Sequence, residues 1–212
     1  MSRWTRFTGG ARAVKRYDRA YFDRWYRARA RVTGSPAALR RVVRLALAAA
    51  DYLLERPVRT VLDVGCGEGA WRRELLALRP RLRYVGVDPS PYVVQRFGAR
   101  RNIRLGSVES LGALGLDGPF DLVVCADVLH YLPDAALTRA AREIAAHTAG
   151  VAVLPLFTSD DEFDGDRTGW QRRSAAAYRR VFRRAGLVPC GLHCYASATI
   201  ADRVAALEGC GR

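Results

Sequence analysis

At 212 residues, half of them apolar, the chain suits one domain with a full core, and no apolar run reaches the roughly 18 residues of a membrane span. Its formal charge is +14, with fourteen Lys or Arg against four Asp or Glu in residues 1–56, and every basic residue but Lys15 is an arginine. Five cysteines, an odd number, favour free buried thiols over a disulfide framework, and Cys190 and Cys194 around His193 lack the spacing and further partners of a usual metal site, so no metal is expected.

The start, MSRWTRFTGGARAVKRY, has no apolar h-region or cleavage site, which points to a cytoplasmic protein. Residues 1–15 have no apolar period and are expected to fray. Tyr17–Val32 interleaves Tyr21, Phe22, Trp25 and Tyr26 with arginines at helical intervals and predicts an amphipathic helix, stopped by Thr33-Gly34-Ser35-Pro36. Ser35 is placed to cap the next helix, with Pro36 in its first turn and an apolar stripe through Leu39, Val42, Val43, Ala46, Ala49 and Leu53.

From there the pattern alternates. Strands are expected at 60–64, 83–87, 103–105, 120–126, 151–156 and 187–195, and helices at 70–78, 91–99, 134–147 and 174–185, with a short helix over Thr199–Glu208. This βαβ rhythm predicts a doubly wound, mostly parallel α/β sheet with helices on both faces. The helical segment 1–56 is expected to cap a domain spanning 57–212. Phe157–Arg173 is a long loop, rich in Asp160, Asp161, Glu162, Asp164 and Asp166 and followed by Trp170. Loops of that length in compact domains are usually functional, which suggests a lid that recognises a cation or pairs with the basic amino-terminal helices.

Thr60–Trp71, TVLDVGCGEGAW, carries the most information: an apolar run, a carboxylate at Asp63, then glycines at 65, 67 and 69. It reads as strand, tight turn and helix start, where a ligand approaches the backbone and unpaired helical N–H groups. The glycine spacing alone also fits a dinucleotide site. Asp63 would oppose a pyrophosphate, whereas a ligand bearing an ammonium and a sulfonium would gain from it. In open α/β sheets ligands lie beyond the carboxyl ends of the strands. Those ends present Asp63, then Asp88 with Pro89, placed to accept from ribose hydroxyls, then Ser107, Val108 and Glu109, where an adenine edge would meet the backbone, and finally Ala126, Asp127 and His130.

Together VLDVGCGEG, Asp88 in GVDPS and FDLVVCADVLHYL resemble the class I S-adenosylmethionine-dependent methyltransferases across about Thr60–Tyr195, with a late Ala185-Gly186-Leu187 exit. The resemblance implies a Rossmann-like six- or seven-stranded sheet. It also implies that Asp63 with the backbone of Gly65, Cys66 and Gly67 cradles the methionine portion of S-adenosylmethionine, that Asp88 holds its ribose, and that S-adenosylhomocysteine is the product. Two features depart from the family. Ser107 stands where many relatives carry an aspartate, and one strand, Leu187–Tyr195, precedes the terminal helix where the family closes with a hairpin.

For the acceptor, His130 has an ordinary pKa near neutrality and is a candidate base, or it packs beside the cofactor. Asp127 is placed to orient an acceptor or the methionine amine, or to cap a turn. Tyr21, Trp25, Tyr131, Asp161 and Trp170 are candidate acceptor contacts, and Trp71 reads as packing. The absence of Asn/Asp-Pro-Pro-Tyr after the fourth strand argues against adenine-N6 or glutamine methylation. A small-molecule O or N acceptor, or carbon, is the favoured partner. The alternatives are RNA bound through residues 1–56 and a non-catalytic regulator that binds the cofactor. The sequence is silent on oligomeric state.

Overall fold

The computed structural model describes residues 15–27, 35–162 and 166–205. Seven strands form one sheet in the order β3-β2-β1-β4-β5-β7-β6. They are β1 (Thr60–Val64), β2 (Arg83–Asp88), β3 (Ile103–Leu105), β4 (Phe120–Val124), β5 (Thr148–Val153), β6 (Val188–Gly191) and β7 (Cys194–Ala196). The first five run parallel, and β7 is antiparallel to both β5 and β6. The central strands β1 and β4 are buried on both faces, as their mostly apolar runs, each interrupted by a single aspartate, imply.

Helices cover both faces. On one, α5 (Asp134–His147) and α6 (Ala175–Arg184) place Leu137, Ile144, Tyr178 and Phe182 over Leu62, Val85 and Val123. On the other, α2 (Pro36–Leu54) and α3 (Ala70–Leu78) place Val43, Leu47, Trp71 and Leu75 over Val61, Leu122 and Val151. A third cluster joins Phe22, Cys66, Val93, Phe97 and Ile103 beside α4 (Pro91–Arg101). Helix α2 starts where its sequence dictates: the Ser35 hydroxyl accepts from the Ala38 N–H at 3.1 Å, Pro36 needs no partner there, and Glu55 ends it in the left-handed region.

Four expectations are corrected. The helix expected over Tyr17–Val32 is one α-helical turn, α1 (Arg19–Phe22), capped by Asp18 and followed by a π-helical stretch, Asp23–Arg27; residues 28–34 lie outside the described residues. Lys15 is held in an ion pair rather than frayed, while 1–14 lie outside the described residues. The single strand expected at 187–195 is the β6–β7 hairpin, so the sheet has seven strands. Its two turn residues, Leu192 and His193, both have positive φ, at 51° and 62°. Such turns usually announce themselves as Asn-Gly, and Leu-His carries no such signal. The last helix is a 3-10 turn, Ala198–Arg203, and 206–212 lie outside the described residues.

Among the described residues of the segment 1–56 expected as a cap, 15–27 lies near the carboxyl ends of the strands, whereas α2 is a layer helix packed against β4, β5 and β7. That difference follows from composition. The apolar stripe of α2 is long enough to need the sheet, whereas the aromatic segment before it is short.

At the opposite edge from the glycine turn, Asp121 staples the two central strands. Its carboxylate accepts from both terminal nitrogens of Arg56 at 3.1 and 2.6 Å, and from the backbone N–H groups of Arg59 and Thr60 at 2.7 and 3.1 Å. Its own N–H donates to the Thr60 hydroxyl. Burial disfavours the charge, but these donors outweigh it and hold the carboxyl below its ordinary value. A carboxyl lowered in the folded state contributes stability above the unfolded-state pKa, and that contribution disappears as pH falls through the folded one. Asp121→Asn should therefore cost about 1–3 kcal/mol in urea unfolding at neutral pH. The difference from the parent protein should narrow towards acid pH.

Candidate functional site

Strand β1 delivers Asp63 to the carboxyl edge of the sheet and the chain then turns. Gly65, Gly67 and Gly69 all have positive φ, at 70°, 52° and 80°. At Gly65 an added Cβ would also lie 2.3 Å from Cγ2 of Val128, so a side chain is excluded twice. The turn is fastened to strand β2: Gly65 and Cys66 donate backbone N–H bonds to the Val87 carbonyl at 2.7 and 3.2 Å. Gly67 N–H donates to Asp88 Oδ2 at 2.8 Å. Gly69 then starts α3 with no side-chain cap, leaving first-turn N–H groups of that helix facing the turn.

Asp88 is shared. Its Oδ1 accepts from Ser90 N–H at 2.9 Å, and its carbonyl accepts from Gly106 N–H at 3.1 Å, which positions the β3 exit. Burial raises its carboxyl, against the lowering by the Ser90 and Gly67 donors. Each carboxylate oxygen retains a lone pair for a further donor, as ribose hydroxyls would require. Asp63 is 2% exposed and accepts from the Tyr84 hydroxyl at 2.8 Å. Burial pushes its carboxyl up to about 7, with Tyr84 opposing and Asp88 adding. Two buried carboxylates thus sit beside a glycine turn, and a cationic ligand would favour their charged forms.

Ser107, Val108 and Glu109 follow β3 as the start of a 3-10 helix, Val108 buried and Ser107 spending its hydroxyl against that of Ser110 at 3.1 Å. Pro89 is exposed between Asp88 and Ser90. Strand β4 ends at Val124, short of the expected 126, so Ala126 and Asp127 belong to the loop and Asp127 has φ 58°. The Asp127 residue is exposed to solvent, yet the protein packed around its carboxyl disfavours the charge and pushes it up to about 6.

The roof is aromatic. Ser90 Oγ donates to the Tyr17 carbonyl and also caps α4. Phe22 packs on Tyr26 and Tyr92, with ring centroids 5.1 and 5.7 Å apart. An added Cβ on Gly67 would lie 3.4 Å from Phe22 and 3.7 Å from the Tyr26 hydroxyl, so this segment lies directly over the turn. Beside it, Tyr131 donates its hydroxyl to the Asp166 carbonyl at 2.7 Å, and Lys15 pairs with the Asp166 carboxylate at 2.6 Å.

His130 is 1% exposed, its ring 4.2 Å from Tyr131 and 5.5 Å from Phe157. Burial, with the charge of Lys15 adding, lowers it to about 4, so the imidazole is neutral at physiological pH. Among the candidate acceptor contacts, Tyr21 and Tyr131 join the roof. Trp25 is in contact with Arg24, and Trp170 with Arg172. Asp161 spends its carboxylate within its own loop, accepting from the Thr158 N–H and hydroxyl at 2.7 and 2.8 Å. Trp71 is buried against the α2 face. Three contributors were not singled out from sequence, Tyr84, Ser90 and Lys15, whereas Asp166 was named in the acidic loop. The first two had no separate signal, whereas Lys15 is the one lysine of an arginine-rich chain.

A family model described as a methyltransferase domain matches residues 26–200, the whole sheet included. The chain belongs to that family. Among curated proteins, the chain is 30% identical over 138 residues to the malonyl-[acyl-carrier protein] O-methyltransferase of Legionella pneumophila, covering 62% of this chain and 47% of that one. It is 33% identical over 84 residues to trans-aconitate 2-methyltransferase of Deinococcus radiodurans, covering 38% and 31%. The chain thus spans less than half the length of these curated relatives. Among solved structures, a sugar N-methyltransferase from Streptoalloteichus superposes with TM-score 0.58 at 21% identity, over 89% of this chain and 90% of that one. Magnesium protoporphyrin IX methyltransferase from Synechocystis does so with TM-score 0.57 at 18% identity, over 82% and 84%. These two share the fold.

The residues present fit S-adenosylmethionine: a side-chain-free turn, an uncapped helix start, a carboxylate with free lone pairs, and a second buried carboxylate for the cationic end. Gly65→Ala tests the turn. Left-handed strain and the approach to Val128 should lower S-adenosylhomocysteine affinity at least about tenfold in calorimetric titration. Adding Val128→Ala should recover only part of the loss, since the backbone strain stays.

Proposed function

We propose that this protein transfers the methyl group of S-adenosylmethionine to an oxygen or nitrogen of a small-molecule acceptor. The observation that carries this is the convergence of Asp63, the Gly65–Gly67 backbone, Asp88 and Asp127 at successive strand ends beneath one aromatic roof. The small-molecule part is supported by the relatives, named for malonyl-[acyl-carrier protein], trans-aconitate and a sugar.

The cofactor supplies an electrophilic methyl on a sulfonium. Displacement there is in line, so the protein has chiefly to align the acceptor and exclude water. Asp88 and the turn fix the nucleoside end, and Asp63 draws the ammonium. The roof of Tyr17, Tyr21, Phe22 and Tyr26 keeps water from the turn. An oxygen or nitrogen acceptor also loses a proton, and the two candidate bases divide by environment. His130, lowered to about 4, is a weak acceptor of protons, whereas Asp127, raised to about 6, is matched to neutral pH. We assign the proton to Asp127 and packing to His130.

The experiment is transfer from methyl-labelled cofactor into a panel of small acids, sugars and amines, followed by a pH profile on whichever is methylated. Asp127 is a base only when ionised, so the rate should rise through about pH 6 and level above it. Asp127→Asn should remove that limb and lower kcat by about 100-fold or more. His130→Phe should leave it in place. A limb that survives in Asp127→Asn and vanishes in His130→Phe would reverse the assignment.

A further inference from the structure

Lys15 is enclosed. Its ammonium lies 3.7 Å from the ring centroid of Tyr131 and 5.4 Å from those of Tyr17 and Tyr21, and it meets Asp166 at 2.6 Å. The side chains of Lys15 and Asp166 are 16% and 10% exposed. The cage is fixed from three elements. Tyr17 is tied to Ser90 through its carbonyl, and Tyr131 to the Asp166 carbonyl through its hydroxyl. Asp166 Oδ1 also accepts from Thr168 N–H at 2.9 Å. Three ring faces and one carboxylate around a cation form the arrangement by which proteins hold alkylammonium groups, and here one of the chain's own side chains fills it.

We propose that this cage of Tyr17, Tyr21, Tyr131 and Asp166 is the part of the acceptor site that binds a protonated aliphatic amine, with Lys15 as its internal occupant in the absence of acceptor. The proposal rests on the methyl-transfer reading only for the word acceptor. Three observations support it. Exchange of one ammonium for another preserves the charge balance of Asp166, so no carboxylate is left unpaired in a half-buried site. The neighbouring groups favour a cation, since Asp63, Asp88 and Asp127 line the same strand ends. The cage also adjoins the reacting region: Tyr131 follows Asp127 by four residues, and the charge of Asp127 bears on its hydroxyl. Burial lowers the ammonium of Lys15 against the pull of Asp166, so an amine held there loses its proton more readily than in water.

The test is a titration of the full chain, with and without S-adenosylhomocysteine, using tetramethylammonium and n-butylammonium as probes and butyrate as the probe of opposite charge. Lys15→Ala removes the internal competitor and should bind both cations at least about tenfold more tightly than the parent protein. In that background Tyr131→Leu and Asp166→Asn should each lose the gain, and butyrate should bind neither form. Lys15→Ala without a gain, or a gain that survives both second substitutions, would overturn the proposal. Butyrate binding to the parent and lost in Lys15→Ala would replace it with an anion site. Because the probes are titrated with and without S-adenosylhomocysteine, failure of the cage is distinguishable from failure of the cofactor site.

Discussion

The Asp88 carboxylate is the point from which the site is organised. One oxygen receives the Gly67 N–H and so fixes the glycine turn; the other receives the Ser90 N–H and so fixes the start of α4. Ser90 in turn holds the roof through Tyr17, and the Asp88 carbonyl holds the β3 exit through Gly106. Turn, helix, roof and the loop after β3 are therefore positioned by one residue at a strand end.

The electrostatics are arranged before a ligand arrives. Among the described residues no basic side chain bonds to the buried carboxylates of Asp63 and Asp88, and each is raised from the ordinary carboxylate range. Burial of that kind is costly in a purely structural role. The contrast with Asp121 makes the point: at the far end of the same strands a buried carboxylate is paired with Arg56 and lowered. One end of the sheet is finished internally, and the other is complementary to a cation.

Much of this was legible in sequence because the responsible patterns are local. Glycines at 65, 67 and 69 demand positive φ, the strand at Thr60–Val64 has to be buried on both faces, and Ser35-Pro36 starts a helix by capping chemistry alone. What was missed depends on contacts between distant segments or on turns without their usual residues. Leu192-His193 hides a hairpin because neither residue favours the left-handed region. Tyr84 becomes relevant only when parallel pairing sets β2 beside β1, with Asp63 opposite Gly86. Asp161 and Asp166 are equivalent in a list of acidic residues, yet one closes its own turn and the other faces Lys15; loop geometry, not composition, separates them. His130 is open in sequence between a base and a packing role, because its ordinary pKa allows the first, and burial removes that property.

The central claim is that Asp88 joins the fold to the cofactor, and calorimetric titration of S-adenosylhomocysteine into Asp88→Asn tests it most directly. The amide keeps the shape and one acceptor oxygen but loses the charge, so affinity should fall about 10- to 100-fold while the thermal transition remains cooperative. Undiminished affinity in a folded Asp88→Asn protein would contradict the account.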